Sequence, residues 1–245
     1  MAYCLKHNLE YSGEIEVAGH IFTRPCPECS KEMDKEDEER QAAIENAARK
    51  ASFKFMNIEP LFYEATLDNF IADTPELKKA VDTVRRLLVG EIQQIVMTGK
   101  NGTGKTHLAV AAVKEKNGKI FSMYEISTRI RASYTAIATE TELQIVNELA
   151  NHSLLAIDEI GRTKGSDSEL NWLSYIIDKR HARGLPTIII SNRHVKKDCP
   201  KRGCEQCLEN FISEDVMSRL AENGVLLRFT GDDWRKTKRQ KEAQK

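Results

Sequence analysis

The sequence has no run of about 18 apolar residues, the length a helix needs to span a bilayer, so no membrane partner is expected. Its start, Met1-Ala2-Tyr3-Cys4, lacks the basic-then-apolar pattern of an export signal, and the expected address is cytoplasmic. No internal repeat is visible. Net charge is also absent: 37 Lys and Arg balance 37 Asp and Glu, which argues neither for nor against a nucleic-acid partner.

Charge is present locally instead. Residues 31–40 hold six acids against three bases, and the tail from Arg235 to Lys245 holds six bases against one acid, Glu242. Such a tail either touches phosphates or stays a solvated end. A hydrophobic content of 40% with 30% charged residues fits a soluble globular protein. A length of 245 residues allows one α/β domain and a small appendage.

Four parts and a terminal tail follow along the chain. Residues 1–30 form a small Cys/His module, and residues 31–52 are charged, alanine-rich and read as a linker helix. Residues 53–70 are an apolar lead-in. Residues 71–234 alternate strand and helix signals, and 236–245 are a basic tail. Short apolar runs place strands at Gln94–Thr98, Lys119–Tyr124, Ser153–Asp158, Thr187–Ser191 and Val225–Phe229. Continuous apolar strands separated by helices predict a five-stranded parallel sheet covered on both faces.

Gly99-Lys100-Asn101-Gly102-Thr103-Gly104-Lys105-Thr106 fits G-x-x-x-x-G-K-[ST] without mismatch, between a strand and a helix over Thr106–Lys116. Glycines let backbone N–H groups curl around phosphate oxygens, and the helix N-terminus adds partial positive charge. Lys105 is expected to reach the phosphates of ATP, and Thr106 to offer a hydroxyl to Mg²⁺. The strand Ser153–Asp158 leads into the adjacent acids Asp158-Glu159 at the carboxyl edge of the sheet. Asp158 is expected to hold Mg²⁺ and Glu159 to polarise the attacking water. Asn192, after the fourth strand, is placed to orient that water; as a bland alternative it only forms a turn.

Six cysteines fall into two triplets. Cys4-x2-His7 and Cys26-x2-Cys29 have the spacing of a tetrahedral Zn²⁺ site, with His20 as a spare ligand and Pro25 and Pro27 suited to a knuckle turn. So short a module needs a metal to fold. His194, Cys199, Cys204 and Cys207 offer a second Cys₃His set among Lys196, Lys197, Lys201 and Arg202; the alternative is reduced thiols in a loop.

Gly-Thr-Gly-Lys-Thr-His-Leu at 102–108, Ile157-Asp158-Glu159-Ile160-Gly161, Ser191-Asn192 and the lead-in Ala65-Thr66-Leu67-Asp68-Asn69-Phe70 resemble the DnaC/DnaI-type helicase loaders. These are AAA+ ATPases related to the initiator DnaA and to the transposition ATPase IstB. The resemblance covers roughly residues 53–235. It implies an AAA+ P-loop ATPase domain, preceded here by a small zinc-binding module and a linker helix. It further implies ATP-dependent loading of the replicative hexameric DNA helicase onto single-stranded DNA, with hydrolysis as a switch and self-association through the ATPase domain.

The resemblance also assigns residues. Arg219 matches an arginine finger acting in trans, Arg180 a position facing the subunit boundary, and Arg235 a phosphate sensor. Phe62 and Tyr63 wall the adenine pocket or are plain core. The segment Ile126–Leu149 resembles the helical element that contacts single-stranded DNA, through Arg129, Arg131 and Tyr134; equally it is an amphipathic helix packed on the sheet. A zinc-bearing amino-terminal domain resembles the DnaI branch, where that domain grips the helicase. The insert between Asn192 and Arg219 is longer than the usual loader pattern. An IstB-like transposition ATPase is the alternative, and a helical appendage would favour it. A zinc interaction module with a degenerate ATPase fits poorly, because Lys105, Asp158 and Glu159 are intact.

Overall fold

The computed structural model describes residues 1–162, 166–199, 201 and 204–234. Arg202, Arg235 and the tail at 236–245 lie outside the described residues. The chain divides into two compact units, Met1–Ser52 and Phe53–Lys245.

The first unit opens with two hairpins. β1 (Ala2–Cys4) pairs antiparallel with β2 (Leu9–Tyr11), and β3 (Glu14–Val17) with β4 (His20–Thr23). Ala18 and Gly19 take φ of 51° and 80°, the positive values that a tight two-residue hairpin turn demands. α1 (Pro27–Phe55) follows, built from strong helix formers, with no buried residue. It begins earlier than the expected 31, because Pro27 suits a first helical position, where no N–H is needed. Cys29 therefore lies in its first turn rather than in a separate knuckle.

The second unit is built on a parallel sheet. β5 (Gln94–Gly99), β6 (Lys119–Ser122), β7 (Leu155–Ile160), β8 (Thr187–Ser191) and β9 (Gly224–Phe229) lie in the order β6-β7-β8-β5-β9. Every adjacent pair is parallel. Side chains alternate between the faces: Ile95, Met97, Ile188 and Ile190 point to one, and Val96, Ile157 and Ile189 to the other. α2 (Pro75–Leu88) and α3 (Lys105–Glu115) cover the first face. α4 (Met123–Ala132), α5 (Glu142–Asn151), α6 (Asp167–Ala182) and α7 (Glu214–Glu222) cover the second.

The helix starts are written locally. Ser122 and Glu125 close a reciprocal capping box on α4, and Thr141 and Gln144 close one on α5. Thr74, Ser166 and Ser213 cap α2, α6 and α7 through their hydroxyls. α3 is the exception. Its N-cap is Gly104, with φ 94° and no side chain to take up the first-turn N–H groups. No described helix is long and apolar enough to cross a membrane.

Candidate functional site

The strand order sets the site. β8 lies between β5 and β7, so the ends of three strands bring the phosphate loop, Asn192 and Asp158-Glu159 to one sheet edge. In an open parallel sheet this carboxyl edge is where ligands bind.

The loop from Gly99 to Thr106 depends on glycine where the chain crowds. A Cβ on Gly99 would stand 2.1 Å from the Phe229 carbonyl oxygen, and one on Gly104 would stand 2.5 Å from Phe70 Cε2. Gly102 accepts from the Trp234 N–H at 2.9 Å. Thr103 Oγ1 donates to the Lys100 carbonyl at 2.9 Å, and Asn101 lies exposed at the loop's tip. Lys105 is only 5% exposed. Its ammonium donates to the carbonyls of Gly99 at 2.8 Å and Lys100 at 2.6 Å. A buried lysine beside uncapped helix N–H groups makes a concave positive site for phosphate.

The acidic half meets this loop directly. Thr106 Oγ1 donates to Asp158 Oδ2 at 2.7 Å. Burial raises the Asp158 pKa above the usual carboxylate range, while Thr106 and the Glu159 N–H pull the other way. Hard oxygen donors paired like this fit Mg²⁺. The β7–β8 register slips between Ile157 and Ile160, and Glu159 takes φ 60°. This irregularity turns adjacent acids away from strict strand alternation. The Glu159 N–H reaches Asp158 Oδ1 at 2.6 Å, and its carboxylate pairs with Arg162 at 2.6 Å. Asn192 is exposed just past β8 and lines a small hollow with Gly161, Arg162 and Arg193. A larger cleft of about 410 Å³ opens on the Arg162 side of Glu159, and no residue of the phosphate loop lines it.

The arginines separate sharply. Arg219, on α7, is half-exposed, with Nε 3.1 Å from Asp178 Oδ1 on α6. Arg180 corrects an expectation: it is 0% exposed, so it faces no subunit boundary. It donates to the carbonyls of Leu149, His152 and Pro186 and to Thr187 Oγ1, joining the end of α5 to the start of β8. Burial lowers its pKa to about 9. Arg162 and Arg193 were not singled out from the sequence. Arg193 Nε donates to the Gly161 carbonyl at 2.7 Å, and its guanidinium lies 4.7 Å from the centre of the Phe211 ring.

The lead-in is latched to α3. Lys114 donates to the carbonyls of Phe62, Tyr63 and Ala65 at 3.1, 2.6 and 2.8 Å. Thr66 and Asn69 bond reciprocally, and His107 reaches both the Thr66 carbonyl and Asn69 Oδ1. Phe62 and Tyr63 pack against the core on this face, while Phe70 sits edge-on to His107.

The suspected DNA contacts each face protein groups. Arg129 is bidentate to Glu140 and also pairs with Glu148, which raises its pKa further. Arg131 lies 3.9 Å from Glu169, and Tyr134 donates to Glu142. α4 and α5 also bury Ile126, Ile130, Ile145 and Leu149 against the sheet.

Both Cys/His sets converge. The ligand atoms of Cys4, His7, Cys26 and Cys29 lie within 4.8 Å of one another. Cys4 Sγ is 3.7 Å from Cys29 Sγ, and His7 Nδ1 is 3.6, 3.3 and 3.4 Å from the sulfurs of Cys4, Cys26 and Cys29. Zinc bonds of about 2.3 Å to sulfur and about 2.0–2.1 Å to nitrogen give tetrahedral edges of roughly 3.5–3.8 Å. His7 Nε2 faces Glu32 at 3.3 Å, the outer partner expected of a metal-binding histidine. His20 lies exposed, outside the set. His194, Cys199, Cys204 and Cys207 likewise lie within 4.8 Å of one another.

A parallel sheet with this phosphate loop and a bulged Asp-Glu strand end defines a P-loop ATPase of the AAA+ class. The chain belongs to the family described as IstB-like ATP binding protein, whose model matches residues 35–242. The replicative helicase loader DnaC of Escherichia coli (strain K12) is 27% identical over 209 residues, covering 80% of this chain and 81% of that protein. Among solved structures, the DnaC helicase loader superposes with a TM-score of 0.57 at 23% identity, over 70% of this chain and 99% of that one. AMPPCP-bound DnaA from Aquifex aeolicus gives a TM-score of 0.57 at 24% identity, over 76% and 55%. These two likenesses show a shared fold.

Proposed function

We propose that this protein loads a replicative DNA helicase onto single-stranded DNA, with Mg²⁺-dependent ATP hydrolysis as the release switch. The observation that carries the reading is the Thr106–Asp158–Glu159 constellation in a chain that matches the Escherichia coli DnaC across four-fifths of that protein's length. Lys105 and the first-turn N–H groups of α3 would hold the phosphates, and Thr106 and Asp158 the Mg²⁺. Bound there, Mg²⁺ would offset charge on the phosphate oxygens. Glu159 would exchange Arg162 for the attacking water and take its proton, with Asn192 orienting that water. Arg219 would leave Asp178 to reach ATP on a neighbouring subunit.

The first unit is the proposed helicase grip. Its Cys₃His set fits zinc in ligand type and spacing, and it presents Leu5, Ile21 and Phe22 to solvent at 90%, 71% and 52%. Paired hairpins and a metal set favour the loader over the IstB-like transposition reading, for which a helical appendage is the expected mark. Single-stranded DNA is the proposed cargo, and at Arg129 it would have to displace Glu140 and Glu148.

The test is capture of the purified hexameric helicase by the full-length chain, with and without prior removal of zinc. Zinc-dependent capture supports the loader. Absence of capture by zinc-loaded protein that still hydrolyses ATP on DNA would transfer the assignment to the transposition-type ATPase.

A further inference from the structure

Among its described residues, the connection from β8 to α7, residues 192–213, contains two short 3-10 turns, Lys196–Asp198 and Leu208–Asn210. Irregular connections longer than about 12–15 residues are uncommon in compact domains unless they carry function. This one is tied at specific points. His194 and Cys207 form a parallel bridge, and the Leu208 N–H donates to the His194 carbonyl at 2.8 Å. Cys207 is 2% exposed, and Val195, Leu208 and Ile212 join the core beneath α6 and α7. Above these anchors four soft ligands meet, with Cys204 Sγ 3.5 Å from His194 Nε2. That separation matches the sulfur–nitrogen edge of a tetrahedral zinc site, roughly 3.5 Å. Thiols are weak hydrogen-bond partners, so mutual attraction does not explain three of them and an imidazole converging on one point.

The place of this set gives it a task. His194 stands two residues after Asn192, and the intervening Arg193 is fixed to Gly161, directly after the Asp158–Ile160 strand end. At the other end, Cys207 leads through Phe211 to Ser213, the N-cap of α7, which carries Arg219. Phe211 lies under the Arg193 guanidinium. On its outer side Asp198, between the first two ligands, pairs with Arg228 of β9. One ion at this point would link the water-facing strand end to the arginine-bearing helix.

We propose that His194, Cys199, Cys204 and Cys207 bind a second, structural zinc ion, which positions Asn192 and the Arg219 helix so that its occupancy governs ATP turnover and not ATP binding. The positioning half rests on the ATPase reading above, while metal binding stands on its own. Lys105 and Thr106 open α3, which packs on the first face of the sheet, whereas Val195, Leu208 and Ile212 pack with α7 on the second, so the phosphate loop itself does not depend on this metal.

The experiment uses the full chain. Zinc content is measured in wild type, in Cys4→Ser/Cys29→Ser, and in Cys199→Ser/Cys204→Ser, whose two sulfurs are both partly exposed. Two zinc ions per chain are expected in wild type and one in each double variant. Cobalt(II) added to metal-free Cys4→Ser/Cys29→Ser protein should give one equivalent of tetrahedral thiolate bands. A wild-type content of one, unchanged in Cys199→Ser/Cys204→Ser, or absent cobalt bands, would overturn the site whether or not the protein is an ATPase. In Cys199→Ser/Cys204→Ser, affinity for a fluorescent ATP analogue should stay within about twofold while turnover falls about 10-fold or more, the usual effect of disturbing a metal's supporting shell. Wild-type turnover in a variant that has lost its zinc would overturn the positioning role. Loss of analogue binding together with turnover would also overturn it, because the metal would then serve the whole domain.

Discussion

Lys105 is nearly buried and already bound to two carbonyls of its own loop, so its charge is held at the mouth of the phosphate site. Lys105→Ala should therefore abolish nucleotide binding, read by titration with a fluorescent ATP analogue; unchanged affinity would refute the assignment. Glu159 sits on a left-handed backbone at a slipped register, strain that an ordinary strand end has no reason to carry. Glu159→Gln keeps the shape and removes the base. It is expected to retain ATP and to lose about 10²–10⁴ in phosphate release, the range typical of general acid–base groups. Arg162 pairs with that carboxylate, and nothing in the local sequence marks it, because Glu159-x2-Arg162 spacing is common on any turn.

At the scale of elements, the lead-in and α3 form one device. Lys114, on the last turn of α3, donates to three lead-in carbonyls, and its ammonium also stands 4.5 Å from the centre of the Phe53 ring. Lys114→Met keeps the stem and removes the donors. The half-buried carbonyls lose partners, so a destabilisation of about 1–3 kcal/mol is expected in urea unfolding. No change in the midpoint would show that solvent serves those carbonyls equally well. α4 and α5 are joined by Arg129 to Glu140 and Glu148, and by the apolar face they share against β7. The segment is thus an amphipathic pair packed on the sheet, with Arg129 and Arg131 facing acids of the same unit.

For the whole molecule, the expected behaviour is that of an assembly. Arg219 is held by Asp178 within its own chain. Arg219→Ala should bind ATP normally and lose turnover only in the assembled form, by as much as about 10³–10⁵ if it acts as a finger in trans. Normal turnover at assembling concentrations would remove that role. Among the described side chains of the first unit only Cys26, at 1% exposed, is buried, so on the zinc reading metal would be its main source of folding energy. Zinc removal should melt the two hairpins, read by loss of amide-exchange protection over residues 1–23, and leave ATP affinity unchanged. Persistent protection would mean that the hairpins stand without it.

Much of this protein is local and was therefore legible. The phosphate loop is one continuous stretch whose glycines and lysine are needed by position, and all five strands of the sheet are short apolar runs because both faces are covered. The spacing of Cys4, His7, Cys26 and Cys29 announced its own convergence. The β1–β4 hairpins were not legible, since strands of three and four residues offer too few positions to show alternation. Charged side chains were the other blind spot. Arg180 reads as a surface residue in a helix, yet four carbonyls, that of Ala150 among them, and a hydroxyl, from residues six to 31 positions away, hold it inside. Arg129 reads as free cation and is answered by acids 11 and 19 residues on. The sequence by itself pointed to the phosphate-loop residues and to the two candidate Cys/His sets, because each is marked by short spacings along the chain. The tertiary structure alone decided which arginines are spoken for and how the strand end at Asp158-Glu159 is turned, because their partners come from other elements and their energies depend on burial.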